Sequence, residues 1–156
     1  MSRNKRKLDR VLRVREVEED VARGIWASAE AAAASARNAT EALLREHELS
    51  QESLRLQLEG GQVSPRAVIC AQQAIETIGG RIERARQAER AAAARAEQAR
   101  IPWEQKRRAK RGLEILVDRA RQAELEEIRA LEAATLDEVA IQRAARKQPD
   151  PRKNSA

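Results

Sequence analysis

The sequence predicts an all-α protein, a long antiparallel two-helix coiled-coil hairpin with a C-terminal helical overhang. Three observations favour this class. Charged residues make up 36% of the chain and aromatic residues only 1%, a composition typical of long helices rather than of a thick globular core. Apolar residues recur at steps of three and four over long segments. Strong turn signals occur in only two places, one of which is the C-terminal tail.

The first predicted helix covers residues 7–58. It opens with an apolar stripe, becomes alanine-rich from Ala27 to Ala42, and regains leucines before its end. Because a helix of this length is stable only when one face is buried, we expect the opening stripe to face the second helix. The members of that stripe are Val14, Val17, Val21 and Ile25.

A turn at residues 59–64 separates the two helices, within the segment EGGQVSPR. Gly60 and Gly61 suit a helix C-terminus, because glycine adopts the left-handed conformation without a steric penalty. Ser64 suits an N-cap, and Pro65 suits the first position of the next helix. The turn is short enough to force the two helices to run antiparallel.

The second predicted helix covers residues 65–147 and is followed by a disordered tail, residues 148–156. Its seam starts at Val68 and continues at alternating steps of three and four. Gly79-Gly80 and Pro102 weaken the helix, and Pro102 predicts either a kink or a full break. The seam comprises Val68, Ala71, Ile75, Ile78, Ile82, Ala85, Glu89, Ala92, Ala96, Ala99, Trp103, Lys106, Lys110, Leu113, Val117, Ala120, Glu124, Glu127, Leu131, Ala134, Glu138 and Ile141.

Antiparallel pairing about this turn predicts which residues face each other. Paired residue numbers should add up to about 122, twice the number at the middle of the turn. The alanine block of helix one then lies opposite a second alanine block near residues 80–95. Trp103 falls opposite residue 19 and Trp26 opposite residue 96, which separates the two tryptophans by about one heptad. We expect both to pack in gaps left by alanine, with an arginine over a ring.

Pairing also leaves residues 116–147 without a partner helix, because helix one begins near Lys7. The unpaired segment remains apolar along one side, and exposed stripes of that size usually mark an interface. Basic residues are concentrated at the same end of the hairpin, which we call the root, whereas the turn forms the tip. The apolar residues concerned are Leu116, Val117, Leu125, Ile128, Leu131, Leu136, Val139 and Ile141.

Motifs for catalysis or cofactor binding are missing from the sequence. Cys70 is the only cysteine and His47 the only histidine, so no disulfide within the chain and no Cys/His metal cluster can form. We expect Cys70 to pack beside the seam and His47 to lie on the surface. No apolar run reaches the length of a membrane span or follows the basic N-terminus as in a signal peptide. These features predict a non-enzymatic intracellular protein with no cofactor and no small-molecule substrate.

The C-terminal third, KRRAKRGLEILVDRARQAELEEIRALEAATLDEVAIQRAAR, resembles the flagellar export protein family FliJ. The N-terminal KLDRVLRVREVEEDVA is similar to the start of that family, and the length and hairpin layout agree along nearly the whole chain. The family aromatics near the tip are missing in this chain. The residues that carry the resemblance are Trp103, Lys106, Lys110, Leu113, Glu114, Leu116, Leu136, Asp137, Glu138, Ala140 and Arg143.

The resemblance implies a stalk-like component of the flagellar type III export apparatus, on the cytoplasmic face of the inner membrane. Its partners would be a hexameric export ATPase at the root, a membrane-embedded export gate at the tip, and export chaperones. The implied ATPase contacts are Lys106, Arg107, Arg108, Lys110, Arg111, Leu116, Ile128, Leu131, Leu136 and Arg143. The gate contacts cannot be carried over from the family, because its aromatic residues near the tip are missing in this chain, and we predict Leu43, Ile75 and Ile78 as the contacts there instead.

Two other functions are compatible with the basic root. It could bind the phosphates of a nucleic acid, in which case affinity would fall steeply with salt, or it could bind an anionic membrane surface. No nucleic-acid recognition motif or array of stacking aromatics supports the first of these alternatives.

Overall fold

The structure, a computed structural model, describes residues 3–148, and almost all of them are helical. Helix α1 spans Arg3–Glu59 and helix α2 spans Pro65–Lys147. Helix α1 therefore begins four residues earlier than the sequence suggested. The tail predicted to be disordered, residues 148–156, lies outside the described residues except for Gln148. The all-α hairpin class is confirmed, with α1 packed against α2.

The connection between the helices uses the predicted end signals. Gly61 has a φ of 74°, the left-handed region that favours glycine, and its N–H donates to the Leu58 carbonyl oxygen at 3.3 Å. At the start of α2, the Ala67 N–H donates to Ser64 Oγ at 3.2 Å, so Ser64 is the N-cap. These two caps end α1 and start α2 within a few residues of each other.

The chain divides into two units, each described by itself. The turn unit is Arg15–Arg108, and the terminal unit combines Met1–Val14 with Ala109–Ala156, of which residues 3–14 and 109–148 are described. In the turn unit, Ala33 packs with Ala92 and Ala96, and Ala29 and Ala36 lie against this cluster. The two alanine blocks therefore meet as predicted, and small side chains let the helix backbones approach closely.

The seam of α2 agrees with the prediction up to Glu124. Every predicted seam residue from Val68 to Glu124 is at least partly withdrawn from solvent. Helix α2 also continues through Pro102 without a break. Arg100 supports this segment, because its guanidinium donates to Glu97 in the preceding turn and to Glu104 beyond the proline. Ion pairs at these helical spacings stabilise a helix in which Pro102 removes one backbone hydrogen bond.

The seam of α1 differs from the prediction. Val14, Val17, Val21 and Ile25 are all more than half exposed and do not form the contact with α2. The residues withdrawn from solvent instead follow mainly an alternation of four and three that starts at Leu8. The residues on this alternation are Leu8, Leu12, Arg15, Glu19, Ala22, Trp26, Ala29, Ala33, Ala36, Thr40, Leu43, His47, Ser50 and Leu54, and Lys5, Asp9, Glu18 and Ala34 are partly withdrawn as well.

Two isolated residues also differ from expectation. Cys70 is exposed rather than packed beside the seam. His47 is half-buried at a seam position of α1 rather than on the open surface. His47 is half-buried because it falls on the α1 seam, whereas Cys70 lies off the α2 seam, between Val68 and Ala71, and stays exposed.

Candidate functional site

The tryptophan pair of the turn unit joins the two helices near the basic run. Trp26 and Trp103 stack with ring centroids 4.6 Å apart and an interplanar angle of 11°. This corrects the predicted separation of one heptad. Helical side chains lean toward the N-terminus of their own helix, so in an antiparallel pair the two rings lean toward each other along the axis. For two long side chains in contact, the sum of the two residue numbers can therefore exceed the sum for residues whose backbones lie at the same level, as it does for Trp26 and Trp103.

A buried carboxylate stands beside this pair. Glu19 is 3% exposed and accepts a hydrogen bond from Trp103 Nε1 at 3.1 Å, which confirms the predicted facing of residues 19 and 103. Arg23 NH1 lies 3.9 Å from Glu19 Oε1. The Trp26 Nε1 atom is buried and has no hydrogen-bond partner within residues 3–148. Together these groups fix the register of the alanine-rich seam, because a buried carboxylate is costly unless its partners are in place.

The basic run that follows Trp103 is partly engaged with its own helices. Lys106 Nζ donates to Glu18 Oε2 at 3.2 Å, and this hydrogen bond lowers the pKa of the Glu18 carboxyl. The Arg107 guanidinium lies 5.4 Å from the Trp103 ring centroid, which confirms the expected arginine over a ring. Arg108 is exposed. Of the three basic residues at the end of the turn unit, two thus contribute to folding.

In the terminal unit, the remaining predicted ATPase contacts lie on α2. Lys110 is half-buried, and Arg111 NH1 lies 3.5 Å from Glu114 Oε2. Leu116 is about half exposed, next to the buried Val117. Pairing with α1 extends further than residue 115, since Lys5 Nζ donates to Glu124 Oε2 at 3.2 Å.

The unpaired part of α2 therefore begins near residue 125 rather than near residue 116. The earlier start of α1 and the lean of the side chains together account for this shift. Every residue from 125 to 148 is exposed. We call residues 125–147 the overhang, and at 1.5 Å per residue it is roughly 35 Å long.

The overhang carries a broad apolar face. Leu131 is 63% exposed and Leu136 is 69% exposed, and both line a shallow groove with Ile128, Glu132 and Thr135. Arg143, the remaining predicted contact in this segment, is exposed as well. Exposed apolar faces of this extent mark binding surfaces in soluble proteins. The overhang is therefore the strongest candidate functional site in the part of the chain that the structure describes.

The predicted gate contacts lie near the turn but inside the helix contact. Ile78 is buried, and Leu43 and Ile75 are half-buried at seam positions. The most accessible large apolar residue at this end is Leu49, which is 70% exposed and lines a groove with Leu54, Ala71 and Ala74. Sequence reasoning missed Leu49 because it lies off the seam of α1.

Within residues 3–148, no group of three or more His, Cys, Asp and Glu side chains is placed to hold a metal ion. None of the described helices is long and apolar enough to cross a membrane. The arrangement of exposed faces on two helices offers surfaces for macromolecular partners.

Residues 4–149 match the family model of the flagellar FliJ protein, which covers nearly the whole chain. Neither the curated proteins nor the solved structures gave a significant match. The FliJ family is a non-enzymatic flagellar protein family with a role related to flagellar export. The matched range includes both helices and the overhang, and the chain belongs to the flagellar FliJ protein family.

Proposed function

We propose that this protein is a stalk-like component of the flagellar type III export apparatus and that its overhang seats in a hexameric export ATPase. The observation that carries the proposal is the exposure of every residue from 125 to 148, although large apolar residues recur through this segment. Burying a large apolar side chain contributes a free energy of roughly 1.5–3 kcal/mol, so a partner that covers several of these side chains would gain that amount for each.

The position of charge in the overhang supports a partner that is partly polar. Acidic residues dominate its first part, including Glu126, Glu127 and Glu132, whereas Arg143 and Arg146 stand near its end. A helix whose apolar face is bordered and interrupted by charged residues such as Glu132 fits a lined channel or groove better than a lipid phase. Lys110, Arg111 and Leu116 precede the overhang on α2 and extend the proposed ATPase surface of the terminal unit.

The family role supports two further proposals. The tip would contact the membrane-embedded export gate, with Leu43, Ile75 and Ile78 as the predicted contacts and the exposed Leu49 as an additional one. The protein would also escort export chaperones at the cytoplasmic face of the inner membrane. Because Ile78 is buried, a gate contact at that residue would require the two helices to part locally, whereas Leu49 is accessible as the helices stand.

The ATPase proposal is tested by measuring the affinity of the purified protein for a homologous hexameric export ATPase. Replacing Leu131 and Leu136 by Glu together should weaken binding by at least about a hundredfold, since each change places a charge in an apolar contact. Ala130→Glu is the matched control, because Ala130 is exposed and lies about 100–120° round the helix axis from both leucines. Equal affinities for the double variant and the control would exclude the overhang as the ATPase contact.

A second candidate function is favoured by one observation in the terminal unit. Arg3, Arg6, Lys7 and Arg10 line one cavity on α1, and such a cluster suits the phosphates of a nucleic acid or an anionic membrane. Binding to DNA or to anionic vesicles that falls steeply with added salt, and that is lost when Arg6 and Arg10 become Gln, would support it. If the same double variant still binds the export ATPase, the phosphate-binding function is separate from the ATPase-binding function.

A further inference from the structure

Helix α1 has a second face, uncharged and largely apolar, that does not contact α2. We call it the outer strip, and its residues succeed one another at steps of three or four, so they share one side of the helix. All six are exposed, and the three largest, Val17, Val21 and Ile25, are each about 60% exposed. The strip consists of Val17, Val21, Ile25, Ser28, Ala32 and Ser35, all within the turn unit.

The strip and the α1 seam lie on different sides of the helix. At 100° per residue, the strip is centred roughly 100–140° round the helix axis from Ala22, Trp26, Ala29 and the rest of the seam. The exposed fractions agree with this geometry, because Ala33 is buried while its neighbour Ala32 is exposed. The valines and the isoleucine that looked like a seam in the sequence are therefore a separate surface.

The strip contains no charged residue, although charged residues make up 36% of the chain. Two glutamates flank Val17 in the sequence: Glu18 is held by Lys106 on the side toward α2, and Glu16 lies on another side of the helix. An uncharged strip of six residues spans about five turns of helix. An exposed surface of that extent with three large apolar residues, on a protein otherwise rich in charge, indicates a contact with another macromolecule.

Side-chain size changes along the strip, and this gradient identifies the occupant. The N-terminal half carries β-branched residues, whereas the C-terminal half carries alanine and serine. When a second copy of the strip runs antiparallel about a point between residues 26 and 27, every large residue meets a small one. The pairs are Val17 with Ser35, Val21 with Ala32, and Ile25 with Ser28.

We propose that the outer strip is a self-association surface through which two copies of this chain pair antiparallel. Each large side chain then fills the space left by a small one on the partner, which maintains close packing along the whole contact. A serine hydroxyl in a helix can donate to the carbonyl oxygen one turn back, so covering the two serines leaves no donor unsatisfied. The contact is the same patch on both copies, as a twofold interface requires. A parallel arrangement would instead set Ile25 against Ile25 and Ala32 against Ala32, which leaves a wide end and a narrow end.

This proposal does not depend on the ATPase proposal. The outer strip lies on α1 in the turn unit, whereas the overhang lies on α2 in the terminal unit. The overhang is also a poorer self-association surface, because Glu132 and Arg129 stand at or beside its apolar face. Variants in one surface leave the residues of the other unchanged, so each can be tested alone.

Sedimentation equilibrium of the full chain at increasing concentration measures the association. We expect a mass that rises from 17.5 kDa toward twice that value. Ile25→Glu should raise the dimer dissociation constant by at least about tenfold, because it buries two unpaired carboxylates across the twofold axis. Ala27→Glu is the matched control, since Ala27 is exposed on the same helix outside the strip and should leave the dissociation constant unchanged.

Cross-linking determines the direction of the pair. In a Cys70→Ser background, a short bis-maleimide should link Ser28→Cys between the two copies. Residue 28 lies close to the point between residues 26 and 27 about which the two copies are related, so the two introduced thiols are near each other. Ala39→Cys should not be linked, because antiparallel copies separate residue 39 from its counterpart by roughly 38 Å along the axis. Circular dichroism with unchanged helicity shows that each variant is folded.

Three results would overturn the proposal. The chain could remain at its monomer mass at every concentration. Both cysteine variants could be linked, which would indicate a parallel pair. Dimerisation could also be lost in Leu131→Glu and retained in Ile25→Glu, which would place the self-contact on the overhang.

Discussion

Helix α2 can be compared with itself on either side of Glu124. Before that residue, apolar positions at steps of three and four are withdrawn from solvent, and Ile78, Ile82 and Val117 are buried. After it, apolar residues continue to recur in one helix, yet every residue is exposed. The difference is the presence of α1 and not the composition of α2. Periodicity thus identifies the face that a helix offers, whereas the length of its partner decides how much of that face is covered inside the chain.

The largest expected effect contrasts two similar truncations on the two sides of Glu124. Ile82→Ala should lower the free energy of unfolding by about 2–4 kcal/mol, because it removes a buried side chain and leaves a cavity. Leu131→Ala should change it by less than about 0.5 kcal/mol, because Leu131 is already exposed. Urea denaturation followed by circular dichroism measures both. Similar losses for the two variants would mean that the overhang is covered in the isolated protein.

The next effect concerns the buried carboxylate of the paired stretch. Glu19→Ala should cost about 1–3 kcal/mol of unfolding free energy, since it leaves the Trp103 indole N–H without its acceptor. Glu16→Ala is the control, because Glu16 is exposed on the same helix. The stacked tryptophans give a fluorescence signal that reports unfolding at this point of the seam. If both glutamate variants unfold alike, Glu19 does not fix the register.

A smaller effect uses the glycines of the paired stretch. A Cβ added at Gly79 or Gly80 would meet no atom within 4 Å, so replacing either by Ala should raise stability by about 1 kcal/mol. Gly61→Ala should lower stability by a similar amount, because its φ of 74° is unfavourable for a side chain. Thermal unfolding of the three single variants checks both signs. A loss of stability in Gly80→Ala would indicate close packing at that glycine.

The smallest effect is a pH dependence at the ion pair between Lys106 and Glu18. The hydrogen bond from Lys106 lowers the pKa of Glu18 in the folded state. Its contribution to stability is therefore complete above the ordinary pKa of a glutamate and is lost as the pH falls through the lowered value. In Lys106→Met, the Glu18 pKa should move up toward its ordinary value, as measured by NMR titration. An unchanged pKa would show that Lys106 does not engage Glu18 in solution.

The sequence predicted α2 better than α1, and the reason lies in particular residues. The α2 seam is largely apolar up to Trp103, so its period is visible. The α1 seam contains Arg15, Glu19 and His47, while larger apolar residues lie on the outer strip. Choosing the most hydrophobic stripe therefore selected the wrong face. The alternation that starts at Leu8 was the available signal, but only pairing with α2 distinguishes it from the outer strip.

The sequence predicted an unpaired apolar segment at the end of α2, but the segment begins near residue 125 rather than near residue 116. An unpaired apolar segment at the end of α2 follows from the unequal helix lengths, which the glycine and proline signals reveal. The first residue of this segment depends on where α1 begins and on the contact between Lys5 and Glu124. The sequence does not fix this residue, because it specifies helix ends and the direction of side chains only poorly. Of the predicted contacts at the tip, Ile75 and Ile78 belong to the α2 seam, so the pairing of the two helices withdraws them from solvent.

Hydrogen exchange along α2, measured with and without a hexameric export ATPase, tests the central claim most directly. In the isolated protein, amides of residues 125–147 should exchange much faster than those of residues 75–105, because no second helix covers the overhang. Addition of the ATPase should slow exchange in the overhang while leaving residues 75–105 unchanged. Strong protection of the overhang in the isolated protein, or exchange there that the ATPase does not alter, would contradict the account.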